Sequence, residues 1–103
     1  MRDTNQPFRK ATAPHKAWSY RQLTEATEAQ IHFHTDFLRK LLARSPNDRL
    51  NHIHVSQVSG WAYGAFVLWQ SMTQGWQDSS DEQRLRELAE SVEMAGSEHG
   101  GQA

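Results

Sequence analysis

Four of the six histidines form two His-x-His pairs, His32 and His34 in "IHFHTDF" and His52 and His54 in "NHIHV". Imidazole binds divalent metals and carries protons near neutral pH, so such pairs raise either a metal site or an acid–base centre. A second group, Glu25, Glu28, His32, Asp36 and Arg39, is spaced by three and four residues. On a helix those positions are neighbours on one face, again a candidate for surface metal binding or paired acid and base. The backbone beneath decides between these chemistries. A strand turns both rings of His-x-His to one side, whereas residues two apart on a helix lie about 200° apart and point to opposite sides.

The local signals are helical. Ser19 to Gln22, Ser45 to Asp48 and Ser80 to Gln83 each resemble a capping box, with a Ser oxygen accepting from an early backbone N–H and the third residue reaching back. Trp18 and Leu23 have the spacing of a hydrophobic staple, Pro46 suits a first helical position, and Asp81 and Glu82 favour a helix start through the dipole. Pro46 disfavours helix at Ser45, while Gly75 and Gly96 suit helix ends. The expected fold is all-α, with helices at about 20–44, 46–74 and 81–95: a long antiparallel hairpin, a short third helix, and assembly as a dimer. Residues 1–18 are expected to be a flexible basic arm, 19–96 the helical domain and 97–103 a disordered tail.

Placed on these helices, the histidines separate. His32 falls on the polar face with Glu25, Glu28 and Asp36, expected to be a solvated ladder because no second helix brings ligands from outside. His34 lies within the apolar arc Leu23, Ala26, Ile31, Phe37, Leu38, Leu41 and Leu42. A hairpin centred at 45 and 46 puts Phe37 level with His54, close enough for His34 and His54 to meet. No carboxylate joins them, so one chain supplies at most two ligands where a stable zinc site takes three or four. Only a twofold dimer offers four, the basis of an alternative reading as a histidine-based metal-binding bundle. The expectation is no resident metal, no cofactor and no catalytic residue: neither nucleophile, oxyanion device nor phosphate loop accompanies the acids, and the inward Glu-x-x-His pairs of helical di-metal enzymes are missing.

Composition sets the remaining bounds. A chain of 103 residues with four Trp, four Phe and two Tyr suits one small folded domain despite a mean hydropathy of −0.80. The absence of cysteine excludes disulfides and thiolate chemistry, and "MRDTNQPFRK" has no apolar core of a secretory signal; a cytoplasmic location is expected. Residues 1–24 carry five cations against Asp3, a net of +4, and residues 78–103 carry seven acids against Arg84 and Arg86, a net of −5. The arm "PFRKATAPHKAWSYR" has cations to meet phosphates and aromatics to stack on bases, the alternative reading as a nucleic-acid-binding accessory protein. Few positive charges and a pI near 6.6 argue against it.

The strongest functional signal lies in the second helix. The 28 residues from Leu50 to Gln77 contain no Asp, Glu, Lys or Arg, and "VSGWAYGAFVLW" is apolar or small around the whole circumference. Polar interruptions leave it short of the ~20 residues of a membrane span. Val58, Trp61, Ala62, Ala65, Trp69, Met72 and Trp76 form one stripe; Ser56, Gly60, Gly64 and Val67 or Ser71 form a ladder of small side chains opposite. Two other helices cannot cover every face of this one, and uncovered apolar area on such a scale marks an interface. The expected interface comprises Gly60, Trp61, Tyr63, Gly64, Phe66, Val67 and Trp69, used for a homodimer or for a different protein.

In size, in helices starting at Ser19, Ser45 and Ser80, and in the apolar "WAYGAFVLW", the chain resembles small bacterial quorum-sensing antiactivators, all-helical proteins that bind a transcription factor and block its dimerisation. The resemblance implies sequestration as the activity and a transcriptional regulator as the partner. It carries no functional residue over to this chain.

Overall fold

A computed structural model describes the backbone of residues 17–101 and the side chains of residues 17–96. The basic-arm expectation therefore falls, for residues 1–16, outside the described residues. The fold is all-α, with three helices and no strand among the described residues: α1 (Tyr20–Arg44), α2 (Asn51–Met72) and α3 (Ser79–Gly101). Each helix packs against both others.

The start of α1 is the expected one. Ser19 Oγ accepts from the Gln22 N–H at 3.0 Å, and Gln22 Oε1 accepts from the Ser19 N–H at 2.9 Å, so two donors without helical partners are satisfied reciprocally.

The other two starts differ from expectation. The Ser45 N–H donates to Leu41 O at 3.2 Å and closes α1, which leaves it unable to serve a capping box with Asp48. Asp48 turns forward instead and accepts from the Leu50 N–H at 2.8 Å. Asn51 Nδ2 donates back to Ser45 O at 2.9 Å. Pro46 thus lies in a six-residue connection, Ser45 to Leu50, and α2 begins at Asn51 rather than at 46. For α3 the cap is Asp78, not Ser80: its Oδ1 accepts from the Ser80 N–H, the Ser80 hydroxyl and the Asp81 N–H, so the Ser80 oxygen acts as a donor.

The ends are also displaced. α2 stops at Met72, two residues early, and Gly75 takes φ +89 in the turn that follows, a left-handed conformation that costs glycine little. α3 passes Gly96 and continues to Gly101. Gly96 works inside that helix by close approach: a Cβ there would lie 2.6 Å from Val55 Cγ2 of α2.

The core joins Ile31, Leu38 and Leu42 of α1 to Val58, Ala62, Phe66 and Trp69 of α2 and Leu85, Ala89, Val92 and Ala95 of α3. On α3 the buried line Leu85, Ala89, Val92 and Ala95 recurs at three- and four-residue steps, the spacing of one helix face. On α1 the buried line is rotated: Phe37 is 40% exposed and Ala26 is exposed, while Thr24 and Thr35 are buried. Both threonine hydroxyls donate to the carbonyl four residues earlier, at 2.8 and 3.0 Å, which removes most of the cost of burying them. On α2 only part of the expected stripe is interior, because Trp61, Met72 and Trp76 are all more than half exposed.

Candidate interaction surface

Two sets of side chains lie outside the core. The first is polar and bridges α1 and α3. Arg84 donates to Asp81 at 2.7 Å and to Glu28 at 3.2 Å. Tyr20 donates to Asp81 Oδ2 at 2.8 Å and accepts from the Asp78 N–H at 3.0 Å, fixing the turn before α3 onto the start of α1. These groups, with Arg21, Thr24 and Glu25, line a cavity of about 220 Å³. Hydrogen bonds from Arg84 and then from Tyr20 hold the Asp81 carboxyl below the usual carboxylate range, and bonds from Ser80 hold Asp78 below it too. Burial pushes the Tyr20 hydroxyl up. The arrangement is an ion-paired clamp: each charge has an opposite partner within the chain, and the clamp joins two helices.

The ladder expected along α1 lies partly in this clamp. Glu25 pairs with Arg21 at 3.2 Å, and Glu28 is taken up by Arg84, with His32 Nε2 at 3.9 Å. Among the described residues no group of three or more His, Asp and Glu is placed to hold a metal ion. The inner histidines do not form the expected pair. His34 sits beside Trp61, with ring centroids 5.9 Å apart, and the Trp69 indole reaches Thr24. Trp61 is seven positions from His54, about 10 Å of helix rise, so the two imidazoles occupy different levels of the bundle. The cause is the six-residue connection, where a two-residue one was expected. The Nδ1 atoms of His34 and His54 are buried without a hydrogen-bond partner, and burial pushes the His34 imidazole below its ordinary range.

The second set is the outer face of α2. Because Val58, Ala62, Phe66, Trp69 and Thr73 turn inward, the 100° step places Ile53, Gly60, Gly64, Val67 and Leu68 on the opposite side. Leu68 is 60% exposed and Trp61 51%. Of the seven expected interface residues, Gly60, Trp61, Tyr63, Gly64 and Val67 are exposed here. Phe66 and Trp69 are not: both lie in the chain's own core, Phe66 beneath the Arg86 guanidinium at 5.1 Å and stacked on Trp69.

Nothing lies within 4 Å of where a Cβ would stand on Gly60 or Gly64. Packing within the chain therefore does not account for two glycines in a helix interior, each costing about 1 kcal/mol relative to Ala. The face extends toward α1 through Phe33, His34, Trp61 and Phe37, whose successive rings lie 5.8 to 6.4 Å apart. Farther along, Leu23, Ala26, Leu68 and Met72 border an apolar groove of about 170 Å³ between α1 and α2. Sequence reasoning missed Leu68, Ile53, Phe33 and Phe37 as surface residues. Leu68 and Ile53 were legible from the helix phase once Val58, Ala62 and Trp69 were taken as the inner line.

Among the described residues no helix is long and apolar enough to cross a membrane. No family model, curated protein or solved structure matches the chain.

Proposed function

We propose that this chain is a small helical interaction protein that works by binding another protein through the outer face of α2 and sequestering it. The observation that carries this reading is an uncharged, half-exposed apolar face, with Trp61, Val67 and Leu68 beside two glycines whose Cβ positions are open. Exposed apolar area of this kind marks a surface that another chain covers, and a partner whose own apolar surface is covered in return loses its use of that surface. An antiparallel α1–α2 hairpin, with α3 across it, would be the rigid platform that presents it.

The layout shared with small antiactivators supports a transcriptional regulator as the class of partner, and a chain without cysteine suits the cytoplasm. Binding would block such a regulator by occupying the helix with which it dimerises, an exchange of one helix–helix contact for another.

Leu68 is the residue on which to test this, being exposed and making no part of the core. Wild-type protein used as bait is expected to retain a DNA-binding regulator that Leu68→Glu bait does not. The purified pair is expected to lower that regulator's affinity for its duplex at least tenfold. Retention of the same proteins by both baits contradicts the proposal.

A further inference from the structure

We propose that the outer face of α2 is covered, in the free protein, by the same face of a second copy, the two α2 helices running antiparallel about a twofold axis level with Ala62. This rests on the reading of that face as a binding surface and names its occupant. Area is the first argument. Ile53, Trp61, Tyr63, Val67, Leu68 and Met72 are each between 43% and 60% exposed. At roughly 200 Å² for a fully exposed large side chain, they present on the order of 600 Å². The glycine and serine backbone between them brings the face toward the ~800 Å² per partner that a stable interface buries.

Charge is the second. No Asp, Glu, Lys or Arg lies between Leu50 and Gln77, so the face meets itself without like-charge repulsion and offers a charged partner nothing complementary.

Size is the third, and it fixes the direction. Rotation about the level of Ala62 brings Ile53 of one copy opposite Ser71 of the other and Gly60 opposite Gly64. Large side chains meet small ones at both ends, and at the centre two glycines let the backbones approach, with Trp61 and Tyr63 closing over either flank. Parallel pairing instead sets Ile53 on Ile53 and Ser71 on Ser71, large on large and small on small, so a helix separation that suits one end leaves the other unfilled. A self-complementary patch of this kind is what a closed twofold dimer requires. The second copy then occupies the surface that a foreign partner needs, so partner binding displaces it.

The chain has no cysteine, so introduced thiols report position without interference. Ile53→Cys and Ser71→Cys chains are made singly, mixed in equal amounts and mildly oxidised, with an exposed Ser91→Cys chain as control. The antiparallel arrangement places equal residues about 27 Å apart, far beyond disulfide reach, and unlike residues opposite each other. The expected result is a cross-linked dimer from the mixture and no more than the control level from either variant alone. Cross-linking of Ile53→Cys alone overturns the antiparallel direction. A single-chain mass for the wild-type protein at 100 µM overturns self-pairing altogether; in that event a foreign protein retained by wild-type but not Leu68→Glu bait leaves the binding-surface reading standing, and retention of none removes both.

Discussion

The indole N–H of Trp69 donates to Thr24 Oγ1 at 3.0 Å, across 45 positions of sequence and inside the core. The Thr24 hydroxyl in turn donates to Tyr20 O at 2.8 Å, so one hydroxyl satisfies a buried donor and a helix carbonyl together. The bond fixes the level at which α1 meets α2.

Thr24→Val keeps the side-chain volume but leaves the indole N–H without an acceptor. An unsatisfied buried donor costs about 1 to 3 kcal/mol. The expected loss in denaturant-derived stability is about 2 kcal/mol, with Thr24→Ser restoring most of it.

The position of Trp69 also shows how far the sequence could be read. The all-α class and the Ser19 box follow from local signals, and each stands. The phase of α2 does not, because "VSGWAYGAFVLW" is apolar on all sides and has no polar stripe to orient it. The stripe chosen from the tryptophans grouped Trp61 and Trp76 with Val58, Ala62 and Trp69, which are buried, and left out Phe66, which the core also buries. Thr24 and Thr35 escaped notice as core residues because their hydroxyls are satisfied by their own helix, which hydropathy does not register. The pairing of His34 with His54 failed on the length of one connection. Leu50 and Asn51 take the bonds that a start at Pro46 would have needed.

Gly60→Ala separates the helix from its surroundings. No atom of the chain lies near the new methyl, so the substitution raises the stability of an isolated chain by up to about 1 kcal/mol through helix propensity. At the centre of a glycine contact the same methyl pushes two helices apart. The expected outcome is a higher thermal midpoint in dilute solution together with dimer dissociation at least tenfold more favourable by sedimentation equilibrium.

Gly96 is the opposite case. A Cβ there meets Val55 Cγ2 at 2.6 Å and Cγ1 at 2.7 Å. Gly96→Ala is expected to destabilise the chain by about 1 to 3 kcal/mol, as overpacking does, despite the gain in helix propensity. Val55→Ala in the same chain makes room and is expected to recover part of the loss, measured by chemical denaturation.

Acid sensitivity follows from the cap of α3. Asp78 and Asp81 are both held below their ordinary value of 3.8, Asp78 by bonds from Ser80 and Asp81 by bonds from Arg84 and Tyr20. Folded-state values below the unfolded ones stabilise the fold fully above that range, and the contribution is lost as pH falls through the folded values. Asp78→Asn still caps the helix but cannot titrate. Its midpoint is expected to fall less steeply than that of the wild type below pH 4.

His34 acts at higher pH and with a different sign of charge. Burial lowers its folded value below the ordinary 6.5, so the unfolded chain binds the proton more readily. Stability is therefore expected to decline as pH drops below 6.5, until the folded imidazole also protonates. His34→Gln is expected to flatten that limb in urea midpoints taken between pH 5 and 7.5.

The central claim, that the outer face of α2 pairs two copies of this chain, is tested most directly by the light-scattering mass of the wild-type protein and of Leu68→Glu at the same tens-of-micromolar concentration. The predicted result is twice the 11.8 kDa chain mass for the wild type and 11.8 kDa for the variant, with unchanged helical circular dichroism. A mass of 11.8 kDa for both, or an undiminished dimer with Glu at position 68, contradicts it.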